Sequence, residues 1–150
     1  MSDKLNVLFV CSGNSCRSQM AEGWARRLHG DKVNSFSAGI EPRRIDPLAV
    51  KVMAESGVDI SKQEAHAVQD FLQRERDVVP DLDVVVTVCS EAAADRCPAF
   101  PKGVKVIHHP FDDPPRLTED IVDESEKLLV YRRVRDEIRQ YVVGLPDRLA

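Results

Sequence analysis

Apolar positions along this chain alternate between two rhythms. Short, β-branched-rich runs at Asn6–Val10, Val33–Ser37, Val84–Val88 and Val104–Ile107 read as strands. Between them the spacing turns helical. One helix runs from Ser18 to His29 and stops near Gly30. A second begins at Asp46-Pro47, an N-cap followed by a proline at the first helical position, and ends by Gly57. A third includes Asp70–Arg76 and a short one follows Cys89 through Ser90–Asp95. The last, Asp123 to Val143, places Leu128, Leu129, Tyr131, Val134, Ile138 and Tyr141 mostly on one face. Pro98 to Pro101 and Pro110 to Pro115 mark loops. Strand and helix in alternation predict an α/β fold with a parallel sheet.

Composition narrows the picture only slightly. The 150 residues suit one domain, 1–150, with a substantial core. A net charge of −4 gives no basic footprint for nucleic acid, and no segment has the apolar length to span a bilayer. Met1-Ser2-Asp3-Lys4 does not read as a signal peptide, so a cytoplasmic, monomeric protein is expected. The four cysteines, 11, 16, 89 and 97, could form a disulfide framework, which a cytosolic location disfavours. They could bind zinc, but gaps of four and seven residues do not match the paired short spacings of zinc modules, and no metal is expected.

The chemistry concentrates in Cys11-Ser12-Gly13-Asn14-Ser15-Cys16-Arg17-Ser18, set between the first strand and the first helix. Loop amides pointing inward, with the positive end of a helix, cradle a tetrahedral oxyanion. Arg17 can offer a planar fork of donors to two oxygens, and the same field favours a nucleophilic thiolate at Cys11. Ser18 could donate its hydroxyl to that sulfur. The competing reading makes Cys11 a small buried hydrophobe and Arg17 a solvated helix residue. It leaves the Gly13-Asn14-Ser15 turn and Arg17 without a shared purpose. Ligands of open parallel sheets bind at the carboxyl ends of the strands. Cys11, Cys89 and Asp112-Asp113 each follow a predicted strand at that end. Asp113, directly before Pro114, could protonate a leaving oxygen, or either aspartate could be a solvated turn residue.

The segment from Cys11 to Ser18, continuing through Gln19-Met20-Ala21-Glu22-Gly23-Trp24-Ala25, resembles the active-site loop of the low-molecular-weight tyrosine phosphatases. It resembles more closely the arsenate reductases built on that fold. Ser37-Ala38-Gly39-Ile40, Phe111-Asp112-Asp113-Pro114 and Arg133-Val134-Arg135-Asp136-Glu137-Ile138 extend the likeness over nearly the whole chain. The resemblance implies a three-layer sandwich with a four-stranded parallel sheet and helices on both faces. It implies that Cys11 attacks arsenate while Arg17 and the loop 12–18 hold the oxyanion, with Asp113 as the acid. Cys89 would then attack Cys11 and Cys97 would attack Cys89, leaving a Cys89–Cys97 disulfide for a thioredoxin-type reductant. Cys16 has no step in that scheme, so packing is its expected part. If Ser90–Arg96 is helical, Cys89 and Cys97 lie ~12 Å apart, beyond the roughly 4.4–6.8 Å a disulfide spans. The segment 89–100 is therefore expected to unwind on oxidation.

Some details depart from the relatives' pattern. Seven residues separate Cys89 from Cys97, one more than in many thioredoxin-coupled relatives. Some relatives hold potassium beside the loop with Asn, Glu, Ser and Asp. Asn14, Glu22 and Ser37 match three of these ligands, and His66 stands where the aspartate belongs. An imidazole replaces a hard oxygen ligand poorly, so no strong potassium dependence is expected, and His66 is expected to hydrogen-bond near Asn14 or Ser37. His109-Pro110 replaces a tryptophan and glycine, which would stiffen the Asp113 loop; His108 and His109 read as surface or strand-end residues. Two other functions compete with arsenate reduction. A phosphomonoesterase would need only Cys11, Arg17 and Asp113, although Pro115-Arg116-Leu117 offers no aromatic grip for a tyrosine ring. A phosphate- or arsenite-binding sensor would consume no thiols.

Overall fold

In the computed structural model, which describes residues 4–73 and 81–145, the sheet order is β2-β1-β3-β4, all parallel. The strands are β1 (Leu5–Cys11), β2 (Val33–Gly39), β3 (Val84–Thr87) and β4 (Lys105–His108). The helices are α1 (Arg17–His29), α2 (Pro47–Glu55), α3 (Val68–Gln73), α4 (Glu91–Ala94), α5 (Pro114–Leu117) and α6 (Glu124–Val143). Central β1 and β3 are apolar without alternation because both their faces are covered. Val7 and Phe9 face a core shared with α1, α2 and α6, whereas Leu8 and Val10 face Val68, Phe71 and Phe100. That is the expected three-layer α/β sandwich.

Caps set the helix boundaries. Asp46 accepts from the Leu48 N–H and Asp123 from the Ser125 N–H, each at 2.9 Å, so α2 and α6 begin where an acceptor side chain stands. On α6, Leu128, Tyr131, Val134, Ile138 and Tyr141 are buried as expected. Leu129 is not: it is 64% exposed, since one helical step turns it about 100° from Leu128. The loop expected at Pro110–Pro115 contains the start of α5, which Asp113 precedes as N-cap and Pro114 opens. The third helix starts at Val68, two residues early, and the predicted positions 74–76 lie outside the described residues.

The chain leaves β1 towards β2 on one side, and the sheet continues to β3 on the other. The order therefore reverses beside β1, the place where such sheets bind ligands.

Candidate functional site

β1 delivers Cys11 as its last residue and α1 starts at Arg17, so residues 12–16 must reverse the chain. Asn14 takes the left-handed conformation, φ 50°, that this requires. Its side chain then fixes the turn. Nδ2 donates to Ser18 Oγ at 2.7 Å and Oδ1 accepts the His66 N–H at 2.8 Å. Buried Gln19 donates from Nε2 to the Asn14 carbonyl at 2.9 Å. Segment 40–46 runs alongside the loop. The N–H groups of Ile40, Glu41, Arg43 and Asp46 donate to the carbonyls of Cys11, Ser12, Gly13 and Ser15, at 3.2, 2.8, 2.8 and 2.8 Å. With its carbonyls engaged on that side, the loop turns amides inward; the Asn14 N–H reaches Cys11 Sγ at 3.2 Å.

Ser18 Oγ lies 2.9 Å from Cys11 Sγ. Because Oγ already accepts from Asn14, its own hydrogen is left for the sulfur, which so receives two donors suited to an anion. Arg17 is 5% exposed. Its Nη1 donates to the Phe111 carbonyl at 3.2 Å and its Nη2 stands 3.5 Å from Asp113 Oδ2. Its Nε is buried without a partner, a donor that an oxyanion would satisfy. Cys16, the N-cap of α1, offers no side-chain hydrogen bond to the first turn. Burial, followed by the Asp46 charge, raises the Cys16 thiol well above its usual range, so it packs as a neutral group. Cys11, Ser12, Gly13, Ser15, Cys16, Arg17, Arg43, Asp113 and Pro115 line one cavity of about 140 Å³. Asp112 instead points to Arg133, 3.1 Å away, a structural contact as expected.

Cys89 lies two residues past β3, fully buried, and Cys97 is partly exposed beyond α4; all four thiols are free. Burial raises the Cys89 thiol, with the Cys11 charge adding to it and the Arg17 charge opposing it. Burial also raises Cys97, with the Cys89 charge adding to it. Each sulfur thus lies within electrostatic reach of the next. Between the outer two, α4 is only a turn long, held by a Ser90 cap at 3.2 Å and by the Cys97 N–H on the Ala94 carbonyl at 3.0 Å. Cys97, Phe100, Val106 and His108 contribute to a neighbouring groove of about 390 Å³.

Sequence reading missed Arg43 at the cavity, the Phe111 carbonyl as an arginine anchor, and the Gln19 brace. Arg43 lies in a loop whose contact with Gly13 only the fold reveals. His66 does reach Asn14, but through its backbone N–H, while its ring packs edge-on to Phe71. Ser37 donates to Glu22 at 2.6 Å, and burial raises the Glu22 carboxyl. At the fourth position His66 presents an imidazole in place of a hard oxygen ligand. His108 ends β4 and meets Thr87 Oγ1 at 2.7 Å; His109, directly after the strand and half-buried, has its ring centre 4.2 Å from that of Tyr141.

Residues 6–150 match the family described as Low molecular weight phosphotyrosine protein phosphatase. The chain is 47% identical over 137 residues to an arsenate reductase of Halalkalibacterium halodurans, covering 91% of each protein. It is 46% identical over 146 residues to arsenate reductase 1 of Staphylococcus epidermidis, covering 97% of this chain and 98% of that one. A solved arsenate reductase in the phosphate binding state superposes with a TM-score of 0.72 at 31% identity, over 97% of this chain and 99% of the other. Thiol loop, sheet order and relatives agree: the chain belongs to the low-molecular-weight phosphotyrosine protein phosphatase family.

Proposed function

We propose that this protein reduces arsenate to arsenite through a relay of Cys11, Cys89 and Cys97 within one domain, 1–150. The observation that carries the proposal is the order of the thiols. Cys11 sits in the oxyanion cavity at the end of β1, Cys89 is buried two residues past neighbouring β3, and Cys97 is partly exposed beyond α4. The arsenate reductases among the relatives support the substrate.

The cradle amides of residues 12–18 and the Arg17 Nε hold arsenate while the Cys11 thiolate attacks arsenic. Asp113 gives its proton to the departing oxygen, which leaves as water. The Cys89 thiolate then attacks Cys11 Sγ. The S–As bond breaks with its electron pair on arsenic, releasing arsenite and leaving a Cys11–Cys89 disulfide. Cys97 attacks Cys89 and frees the Cys11 thiolate. Once Cys89 is in a disulfide its charge no longer opposes Cys97 ionisation, so this step follows the first. Residues 89–100 are expected to unwind to form the Cys89–Cys97 bond, and the one-turn α4 offers little resistance. A thioredoxin-type dithiol then restores the monomeric enzyme in a reducing cytoplasm. Weak phosphomonoesterase activity is expected, since the cavity fits phosphate equally.

The test is arsenate-dependent NADPH oxidation with thioredoxin and thioredoxin reductase, beside aryl-phosphate hydrolysis. Cys97→Ser should lose multiple turnover yet release one arsenite per enzyme and keep its phosphatase rate. Vigorous phosphatase activity without any arsenate-dependent NADPH oxidation would replace the proposal with the phosphatase reading.

A further inference from the structure

Two arginines line the oxyanion cavity, and they stand in different circumstances. Arg17 is buried and already engaged with Phe111 and Asp113. Arg43 is exposed, and among the described residues its guanidinium has neither an ion pair nor a hydrogen bond. Its backbone is nevertheless fixed, the N–H donating to the Gly13 carbonyl at 2.8 Å. Its stem rests on the anion loop: Cδ and Cγ lie 3.4 and 3.5 Å from where a β-carbon on Gly13 would stand. The nearby carboxylate of Glu41 is taken by Arg96 at 3.4 Å. The result is an uncommitted positive charge held at the mouth of an anion site.

We infer that Arg43 is a specificity-determining residue, a second anion clamp that selects tetrahedral dianions by gripping one of the oxygens that stay on the central atom. The inference rests on the oxyanion reading of the cavity. Without Arg43, a bound dianion and the Cys11 thiolate meet only one lining arginine, Arg17. With Arg43, a second full cation answers the charge the substrate brings. The clamp discriminates between substrate and product as well: arsenate is largely dianionic at neutral pH, whereas arsenite is uncharged and leaves ungripped. Because Arg43 touches an oxygen not attacked or expelled, it contributes equally to ground and transition states. Its signature is therefore in KM and in the rate of capture.

Inorganic phosphate, titrated calorimetrically into the full-length reduced protein, is the probe. Arg43→Ala should weaken phosphate binding and raise the KM for arsenate by about tenfold each, the order expected for a hydrogen bond between charged groups. Arg43→Lys should recover most of both. Between about 20 and 500 mM salt, kcat/KM should fall less steeply in Arg43→Ala than in wild type. Equal phosphate affinity in wild type and Arg43→Ala would overturn the inference, as would a loss confined to kcat or an unaltered salt slope. If phosphate binding weakens as expected but no arsenate is reduced by wild type, the clamp stands and the reductase reading fails.

Discussion

Gly39→Ala tests how the anion loop is held. A β-carbon at this position would stand 2.6 Å from the Asn14 backbone nitrogen and 2.7 Å from the Gly13 carbonyl carbon. Both are backbone atoms and cannot rotate away. Gly39 cannot yield either, since it pairs with Cys11 in the sheet and donates its N–H to the His66 carbonyl at 2.8 Å. Ordinary contact starts near 3.4 Å, so the loop would retreat by roughly 0.8 Å. The Asn14 N–H bond to Cys11 Sγ, now 3.2 Å, would then be lost. Overpacking of this kind costs ~1–3 kcal/mol. At roughly 2–4 °C per kcal/mol for a chain of this size, Tm should fall by ~2–12 °C. Misplacing the cradle by nearly an ångström should lower kcat/KM by ~100-fold. Thermal melts followed by circular dichroism, with single-turnover arsenite release below the melting range, measure both. Wild-type Tm with kcat/KM within about threefold would refute the account of how β2 braces the loop.

Asp113→Asn should lower kcat for arsenate by ~100-fold or more while phosphate binds at least as tightly, because a general acid is lost and a carboxylate leaves the cavity. Gln19→Leu should lower stability by ~2–4 kcal/mol in urea unfolding, since it takes from the Asn14 and Glu64 carbonyls the donor that Gln19 supplies. Hydrogen bonds from Arg132, chiefly, hold the Glu55 carboxyl at about 2, below its ordinary 4.5. A depressed carboxylate stabilises the fold above its unfolded value and loses that contribution as pH falls through the folded one. Wild type should therefore lose stability relative to Glu55→Gln as pH falls from about 4.5 to about 2, by a small, salt-sensitive amount for so exposed a group.

Much of the fold was legible because its signals are local. Asp46-Pro47 and the buried run of β1 each encode their element within a few residues. Asp113-Pro114-Pro115 carries the same cap-and-proline signature, yet two adjacent prolines read more naturally as a loop, and α5 was missed. Leu129 misled because apolar composition does not state which side of a helix a residue faces. The loop that opens on Cys11 was legible as a turn between strand and helix; it lines a cavity, and Ser18 Oγ stands 2.9 Å from Cys11 Sγ. What could not be read were contacts made across the sequence. The Phe111 carbonyl on Arg17, 94 positions away, and the stem of Arg43 over Gly13 exist only once β2 lies beside β1 and β4 beside β3.

Asp46 joins three parts of the molecule. Its N–H holds the Ser15 carbonyl at 2.8 Å, its Oδ1 caps α2, and its Oδ2 accepts the buried Tyr131 hydroxyl of α6 at 2.5 Å. Binding loops commonly open at the low end of a protein's ladder of stabilities. This one cannot fray without breaking the junction with two core helices, so its amide hydrogens should exchange with solvent only as slowly as those of α6. Residues 91–97, whose backbone hydrogen bonds are all local turn bonds, should exchange far sooner. On the proposed relay, the attacking sulfur of Cys11 sits in a slowly exchanging unit and the travelling sulfur of Cys97 in a fast one.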